Sequence, residues 1–555
     1  MAATLCPFQQ PPAGHRDWYL FEAVRSVPRI MTMLDRNPVS PTYGCFDREY
    51  WHYRTADFPC GMNEEFSLVL ALAWATAHPQ NPFFKNLRLR ELIEASLRFA
   101  QKSSHANGAC DDYFPFEQAR GAAAFSLYAM AESCQLLGLK DPALLEFFAR
   151  RGDWLAQHQE SGRLSNHQAL AALALQNVFA LTARPRFRAG MEQLRDLALS
   201  WQHAEGWFQE YEGADPGYQT STISFLAKLR QKTGDPKLSE PLRRAVAFAA
   251  HFMHPDGSYG GEYGSRNTGH FYPHGLELLA PESPDALQMA ELFLRRGLPG
   301  RTRCYNDDNR MCAHYVYDWF QAWRDYAPVP GRDALPCPAA PQTAWFPAAG
   351  LLARRDERHC AVAAAYKGGV LKITGPLGPI YSDTGVMLRL ADGTVLVSHL
   401  VNAQNEVRWS PAQNELTVRG NLCRRRAALM TPWKQMVFRA LTLTIGRLNP
   451  NWLRQLIQKL FITGKAVTTS TFSRTIRFAP DRIEIVDEVE LRGGQMVVEA
   501  MAAPDSTSIY VAASNPFQAA NLLPVRRLGL LRDKLREANR GRQTHVVELT
   551  APPKI

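Results

Sequence analysis

Residues 162–218 read Gly162-Arg-Leu-Ser-Asn166-His167, then an apolar helical stretch, then Gly206-Trp-Phe-Gln-Glu210-Tyr211-Glu-Gly-Ala-Asp-Pro-Gly-Tyr218. A further copy follows as Asp256-Gly-Ser-Tyr-Gly-Gly-Glu262-Tyr263-Gly-Ser-Arg266-Asn267-Thr-Gly-His270. With one residue gapped, Gly206 aligns with Gly257, Glu210-Tyr211 with Glu262-Tyr263, and Tyr218 with His270. A weaker copy lies upstream, where Gly108-Ala-Cys-Asp-Asp112-Tyr113 precedes Phe116-Glu-Gln-Ala-Arg120 and an Ala-rich helix over 121–137. Helix starts near 116, 166, 218 and 270 thus recur at a period of about 50 residues, the mark of stacked supersecondary units. Each unit reads as a polar, Gly-bearing loop, a small-residue helix and a second helix. Such hairpins set in a ring form an α/α toroid. Its inner helices aim their N-terminal ends into one cleft, so Asn166, His167, Tyr218 and His270 are expected to meet there.

Upstream, residues 1–60 read as an N-terminal arm with helix near 16–35, followed by an aromatic loop, Tyr43 to Arg54. Trp51 and Arg54 in that loop suit a sugar ring and its carboxylate, because aromatic faces stack on C–H surfaces and Arg forks bind carboxylates. The same loop could instead plug one end of the toroid. Residues 61–327 carry helical periodicity, as in Glu65–Trp74, Leu89–Lys102 and Met311–Tyr326. Residues 328–342 are rich in proline and read as a linker.

Beyond residue 343 the hydrophobic period drops toward two. Cys360–Tyr366, Val370–Thr374, Gly385–Leu390, Thr394–Ser398, Ile483–Asp487 and Gln495–Glu499 read as strands. The second domain, 343–555, is therefore expected to be an antiparallel β-sandwich. Its exception is a basic helical insertion near 431–465. The amphipathic run Leu448–Phe461 within it could lie on a membrane surface or pack on the sandwich.

At 555 residues the chain exceeds one ordinary core, and its 46% hydrophobic and 21% charged content is that of a globular protein. There is no run of about 18 apolar residues and no basic-apolar leader at Met1, which points to a cytoplasmic chain without a membrane span. The ten cysteines are scattered without C-x-x-C spacing and read as reduced thiols. Cys60 and Cys110 sit in polar, aromatic loops and are the candidates for a reactive thiol. The net charge of +10 is concentrated, since Leu416–Pro480 holds no Asp or Glu but many Arg and Lys. Such a field favours an acidic polysaccharide or an anionic membrane surface. Nucleic acid is not expected, because no helix-turn-helix, zinc or RNA-recognition motif accompanies the charge.

The α/α toroid followed by a β-sandwich, Asn166-His167 and Tyr218 at successive helix heads, and the joint Ala344-Trp-Phe-Pro-Ala-Ala-Gly350-Leu-Leu-Ala-Arg354 together resemble the heparinase II/III-like and alginate-lyase group. The resemblance spans about residues 60–500. It implies proton abstraction α to the carboxylate of a uronic acid, followed by β-elimination of the linked sugar, with no metal or other cofactor. By the resemblance, Asn166 and His167 neutralise the carboxylate while Tyr218 acts as acid, base or both. The internal repeat adds His270 and Arg266, with Glu210 and Glu262 orienting these groups and Tyr263 beside them. In that group a His-rich strand of the β domain reaches the cleft. The matching stretch here, Gly375–Gly385, has no histidine, and Tyr381 is its candidate donor.

Three readings stay open. The first is a lyase or a closely related uronyl epimerase, tied to polysaccharide biosynthesis. The second is a toroidal glycoside hydrolase, which needs two carboxylates across the scissile bond; Asp111, Asp112, Glu117, Glu210 and Glu262 are available. The third is a non-catalytic polysaccharide-binding protein.

Overall fold

The computed structural model describes residues 11–549, apart from 13, 161, 301–308, 327, 331, 333–341, 357, 426–428, 458, 460–464 and 505–516. Most of the expected Pro-rich linker lies outside the described residues. In the N-terminal half, outer and inner helices alternate along the chain. The outer helices are α1 (Asp17–Met33), α3 (Leu87–Ser103), α5 (Pro142–Gln157), α7 (Pro185–Ser200), α9 (Ser239–Ala250) and α11 (Pro284–Leu292). The inner helices are α2 (Phe66–Ala75), α4 (Arg120–Leu137), α6 (Ser165–Thr182), α8 (Pro216–Thr233), α10 (Pro273–Leu279) and α12 (Ala313–Arg324). Each inner helix packs on the next, and α12 packs back on α2, so the α/α ring is closed. Helix α1 packs on α12 and α2. The segment expected as an arm therefore supplies the outer layer where the ring closes.

Sequence explains the division of labour. Helices α4 and α6 are rich in alanine and buried on nearly every side, as a helix between neighbours on all faces must be. Helix α3 buries Leu89, Leu92, Ile93, Ser96, Leu97 and Ala100, the one-face spacing of an outer helix. Starts are fixed locally: Asn86, Asp141, Asp215 and Ser283 accept backbone N–H bonds ahead of α3, α5, α8 and α11, with Pro at the first turn of the last three.

The repeat has a structural signature in a His-x-x-Gly turn. His105–Gly108, His203–Gly206 and His254–Gly257 each close with the Gly N–H donating to the His carbonyl. The glycines have φ of +89°, +99° and +81°. A Cβ on any of them would collide with backbone at Arg151, Arg244 or Gly297 in the adjoining outer layer. Only glycine meets both demands.

The C-terminal half is antiparallel β, in two stacked sheets. A short hairpin in the toroid, β1 (Gln209–Glu210) and β2 (Gly213–Ala214), precedes them in the chain. The first sheet is a meander of β3 (Gln342–Phe346), β4 (Leu351–Arg355), β5 (Cys360–Ala364), β6 (Val370–Gly375) and β7 (Gly378–Asp383). The second includes β8 (Met387–Leu390), β9 (Val395–Val397), β10 (Glu406–Ser410), β11 (Glu415–Arg424), β12 (Ala466–Phe478), β13 (Arg482–Glu490), β14 (Val497–Ala502), β15 (Arg526–Arg527) and β16 (Arg540–Glu548). Alternation along the first sheet assigns its two faces. Leu351, Ala353, Cys360 and Val362 join the toroid core, while Leu352, Ala361 and Ala363 join the sandwich core. That sheet is thus a middle layer with both faces buried, which is why β5 reads as a continuous apolar run.

Between β11 and β12 the chain leaves the sandwich. It forms α13 (Pro432–Leu441), a wide helical turn over Thr442–Gly446, and α14 (Pro450–Ile457). This hairpin reaches back over the toroid, where Phe438 meets Phe114 edge-on at 5.9 Å and Arg439 pairs with Asp57 at 2.9 Å. No helix among the described residues is long and apolar enough to cross a membrane.

Candidate active site

A cavity of about 430 Å³ opens at the N-terminal ends of the inner helices. Its wall takes Met62 from the turn before α2, Gly121 from α4, His167 from α6, Tyr218 from α8, Tyr272 from the turn before α10 and His314 from α12. Its rim adds Asp112, Tyr113 and Glu117, and its roof is Met430, Phe438, Arg454 and Ile457 of the inserted hairpin. Toroid and β domain therefore build the site together.

His167 is held from outside the cavity. Its Nδ1 donates to Glu160 Oε1 at 2.6 Å, which leaves Nε2 as the basic nitrogen. Burial opposes a charge on Glu160, but His167, Arg454 and Arg120 outweigh it and bring the carboxyl down to about 2. Glu160 is thus a fixed anion behind the imidazole. Gly121 makes this fit possible, because a Cβ there would press on the His167 ring.

Tyr218 lies beneath a cation. The Arg266 guanidinium sits 3.7 Å from the centre of its ring and 5.0 Å from that of Tyr211. Arg266 is anchored to Glu210 Oε2 at 2.8 Å, and Asn166 Nδ2 donates to Glu210 Oε1 at 2.7 Å. Burial works against the charge of Arg266, yet Tyr218 and Glu210 outweigh it and the guanidinium stays charged. The chain Asn166–Glu210–Arg266–Tyr218 is therefore one connected network. Asn166 is completely buried and outside the cavity lining, and its side chain fixes Glu210 instead of capping α6. His270 also stands behind the wall: its Nδ1 pairs with the Tyr315 hydroxyl, and its ring meets Tyr218 edge-on at 4.9 Å.

The other expected site residues lie elsewhere. Glu262 pairs with Lys372 of β6 at 3.1 Å, so it joins toroid to sandwich. The Tyr263 hydroxyl bonds His254 Nε2 at 2.9 Å within the toroid core. Trp51 donates its indole N–H to the Met33 carbonyl at 2.9 Å, and neither it nor Arg54 lines the cavity. Tyr381 donates to Asp383 at 2.7 Å and stacks on His545 inside the sandwich, so it does not replace the missing histidines at the cleft. Both Cys60 and Cys110 are buried, and burial pushes their thiols well up, away from the thiolate form.

Several wall residues escape a reading by repeat alignment. His314 stacks on Phe125 at 4.3 Å, with Nδ1 2.7 Å from Glu65 Oε2. It heads the last inner helix about one period after His270, so the helix-head rule, carried one unit further, finds it. Burial raises Glu117 to about 7, with Asp112 adding to the rise and Arg454 opposing it. Arg454 lies 3.7 Å from Glu117 and 3.6 Å from Glu160, bringing the roof's positive charge to two buried carboxylates. Part of the basic excess of 416–480 is consumed in this way inside the chain, as it is by Arg474 with Asp383 and Asp487.

No protein-family model matches the chain, and no curated protein matches it in sequence. One solved structure shares its fold, and others align with it along the chain. The chondroitin AC lyase of Streptomyces coelicolor A3, in complex with chondroitin sulphate, aligns over 98% of this chain and 78% of its own with a TM-score of 0.52 and 13% identity. A heparan sulfate lyase HepC mutant from Pedobacter heparinus aligns over 98% and 84%, with a TM-score of 0.41 and 11% identity. The GH127 β-L-arabinofuranosidase of Geobacillus Stearothermophilus T6 aligns over 96% and 95%, with a TM-score of 0.35 and 10% identity. The chain has a divergent polysaccharide-lyase-like fold, a helical toroid followed by antiparallel sheets. At these identities the likeness is one of fold, and the reaction must be read from the residues of the cavity.

Proposed function

We propose that the chain is an enzyme acting on a uronic-acid-containing acidic polysaccharide by proton abstraction and β-elimination. One observation carries this reading. His167 and Tyr218, at the heads of two consecutive inner helices, line the same cavity, and each is held by its own charged partner.

The chemistry follows from those partners. Arg266 and Arg454 supply the positive charge that a uronate carboxylate needs as enolate character develops. His167 Nε2 takes the proton α to that carboxylate, and Glu160 stabilises the imidazolium formed. The electron pair forms the new C=C bond as the β C–O bond breaks. Tyr218 gives its hydroxyl proton to the departing oxygen, and Arg266 stabilises the phenolate until it regains a proton from solvent as the His167 imidazolium releases one. Asn166 and Glu210 act as positioning residues for Arg266. An epimerase would share the first step and return the proton to the opposite face. The fold neighbour solved with chondroitin sulphate makes sulfated and unsulfated glycosaminoglycans the first polymers to try. A place in polysaccharide biosynthesis predicts that deleting the gene alters cell-surface polysaccharide.

A second reading rests on Glu117. A carboxyl with pKa about 7 is suited to protonate a leaving group, and Asp112 lines the same cavity. Reaction in oxygen-labelled water separates the two. Hydrolysis places the label at each new reducing end, whereas elimination leaves the ends unlabelled and one end unsaturated. Label at every new end overturns the lyase reading.

A further inference from the structure

The inserted hairpin has two faces. Phe438 and Arg454 turn inward over the toroid, and Leu453 packs against Gly446 within the hairpin. The opposite face exposes Trp433, Met436 and Val437 on α13, Ile445 and Leu448 in the turn, and Trp452 on α14. Trp433 and Leu448 are 73% and 87% exposed, unusual for such large apolar groups within one short hairpin. Helix α13 buries no residue. Lys434 on α13 is exposed, as are Arg424 and Arg425 just ahead of the hairpin in the chain, while Arg447 is exposed but sets its guanidinium 4.6 Å from the Phe116 ring.

We propose that this face docks on an anionic lipid surface. Charge selects the occupant. Residues 416–480 contain no carboxylate, so two copies of this face would bring cation against cation with nothing to neutralise them. Anionic headgroups supply the missing charge. The side-chain set is the interfacial one: tryptophans on both helices, aliphatics at the tip, and Lys and Arg at headgroup depth. The hairpin's length suits lying on the surface, since α13 and α14 are far shorter than a span. Because the inner face of the same hairpin roofs the cavity, docking places the mouth of the site beside the membrane. This proposal is independent of the reaction carried out in the cavity.

The test is sedimentation of the full chain with phosphatidylcholine vesicles, with and without phosphatidylglycerol. The wild type is expected to pellet with the anionic vesicles and stay in solution with the neutral ones. The triple variant Trp433→Ser, Met436→Ser, Val437→Ser is expected to lose about tenfold or more of that partitioning. Its melting temperature should be unchanged, since the three side chains are exposed. A measurement on the wild type alone guards against misfolding of the variant: brominated anionic lipid should quench tryptophan emission, and added salt should reverse it. Wild type that stays in solution with both vesicle types overturns the proposal, as does a triple variant that pellets equally well. Concentration-dependent self-association of the wild type, abolished in the triple variant, would overturn it in favour of an interface between copies.

Discussion

The guanidinium of Arg266 lies over the ring of Tyr218, 3.7 Å from its centre, and its far side is tied to Glu210. The two residues come from different repeat units. Their contact joins two separate repeat units at the cavity wall, with a phenol ring beneath a fixed cation.

Tyr218→Phe is expected to retain the fold, because it keeps the ring beneath Arg266, and to lower kcat by about a hundredfold or more. Arg266→Lys keeps a charge beside Glu210 but loses the planar group over the ring, and should cost about ten- to a hundredfold. Steady-state kinetics with thermal melts as controls check both. Equal activity of Tyr218→Phe and wild type would remove Tyr218 from the chemistry.

Glu160 makes a pH-dependent contribution to stability. Its folded pKa of about 2 lies below its ordinary value of 4.5, so the contribution is complete above 4.5 and is lost as pH falls toward 2. Glu160→Gln should therefore be less stable than wild type at neutral pH, and the gap should close across that acid window. Urea unfolding of both proteins as a function of pH measures it. The variant should also lose turnover, because His167 is no longer fixed.

Glu117 has the opposite sign. Its folded pKa of about 7 lies above its ordinary 4.5, so its contribution is complete below 4.5 and is lost as pH rises through 7. Glu117→Gln should gain on wild type in stability as pH rises across that interval. The same pair of proteins tests the hydrolytic reading. If Glu117 is the general acid, wild-type rate falls above about 7 and the variant is inactive; under elimination the variant keeps most of its rate.

Gly257 and Gly234 both have positive φ but differ in surroundings. A Cβ on Gly257 would collide with the Gly297 backbone, while one on Gly234 would meet nothing within 4 Å. Gly234→Ala should cost ~1 kcal/mol, the left-handed penalty alone. Gly257→Ala should cost ~3 kcal/mol or more, since backbone must move as well. Differential scanning calorimetry of the two variants separates strain from collision.

The toroid was legible because each inner helix starts with a polar, Gly-bearing loop, and those starts recur at near-constant spacing. A firmer repeat signal, His-x-x-Gly at 105, 203 and 254, lies a few residues upstream of the aligned segments. The sandwich was legible from its two-residue period. The middle-layer position of its first sheet was signalled only by the unbroken apolar run of Cys360–Ala364. His167, Tyr218 and Arg266 reached the cavity because helix heads in a ring converge on its axis. Glu262 and Tyr263 sit at equivalent repeat positions but turn to the joint and the core. Alignment of repeats cannot separate those outcomes, because Glu262 is drawn away by Lys372 of β6, a partner outside the repeat. The roof was illegible for a related reason. Arg454 reaches Glu160 from nearly three hundred positions away, brought there by an insertion in a different domain.

The most direct measurement is ultraviolet absorbance of the unsaturated uronate, followed with the purified chain on chondroitin, heparan sulfate, hyaluronan, alginate and bacterial glucuronans. Elimination by His167 and Tyr218 predicts a rise on at least one polymer that His167→Ala and Tyr218→Phe both abolish. No rise on any polymer, or a rise that survives both substitutions, would contradict it.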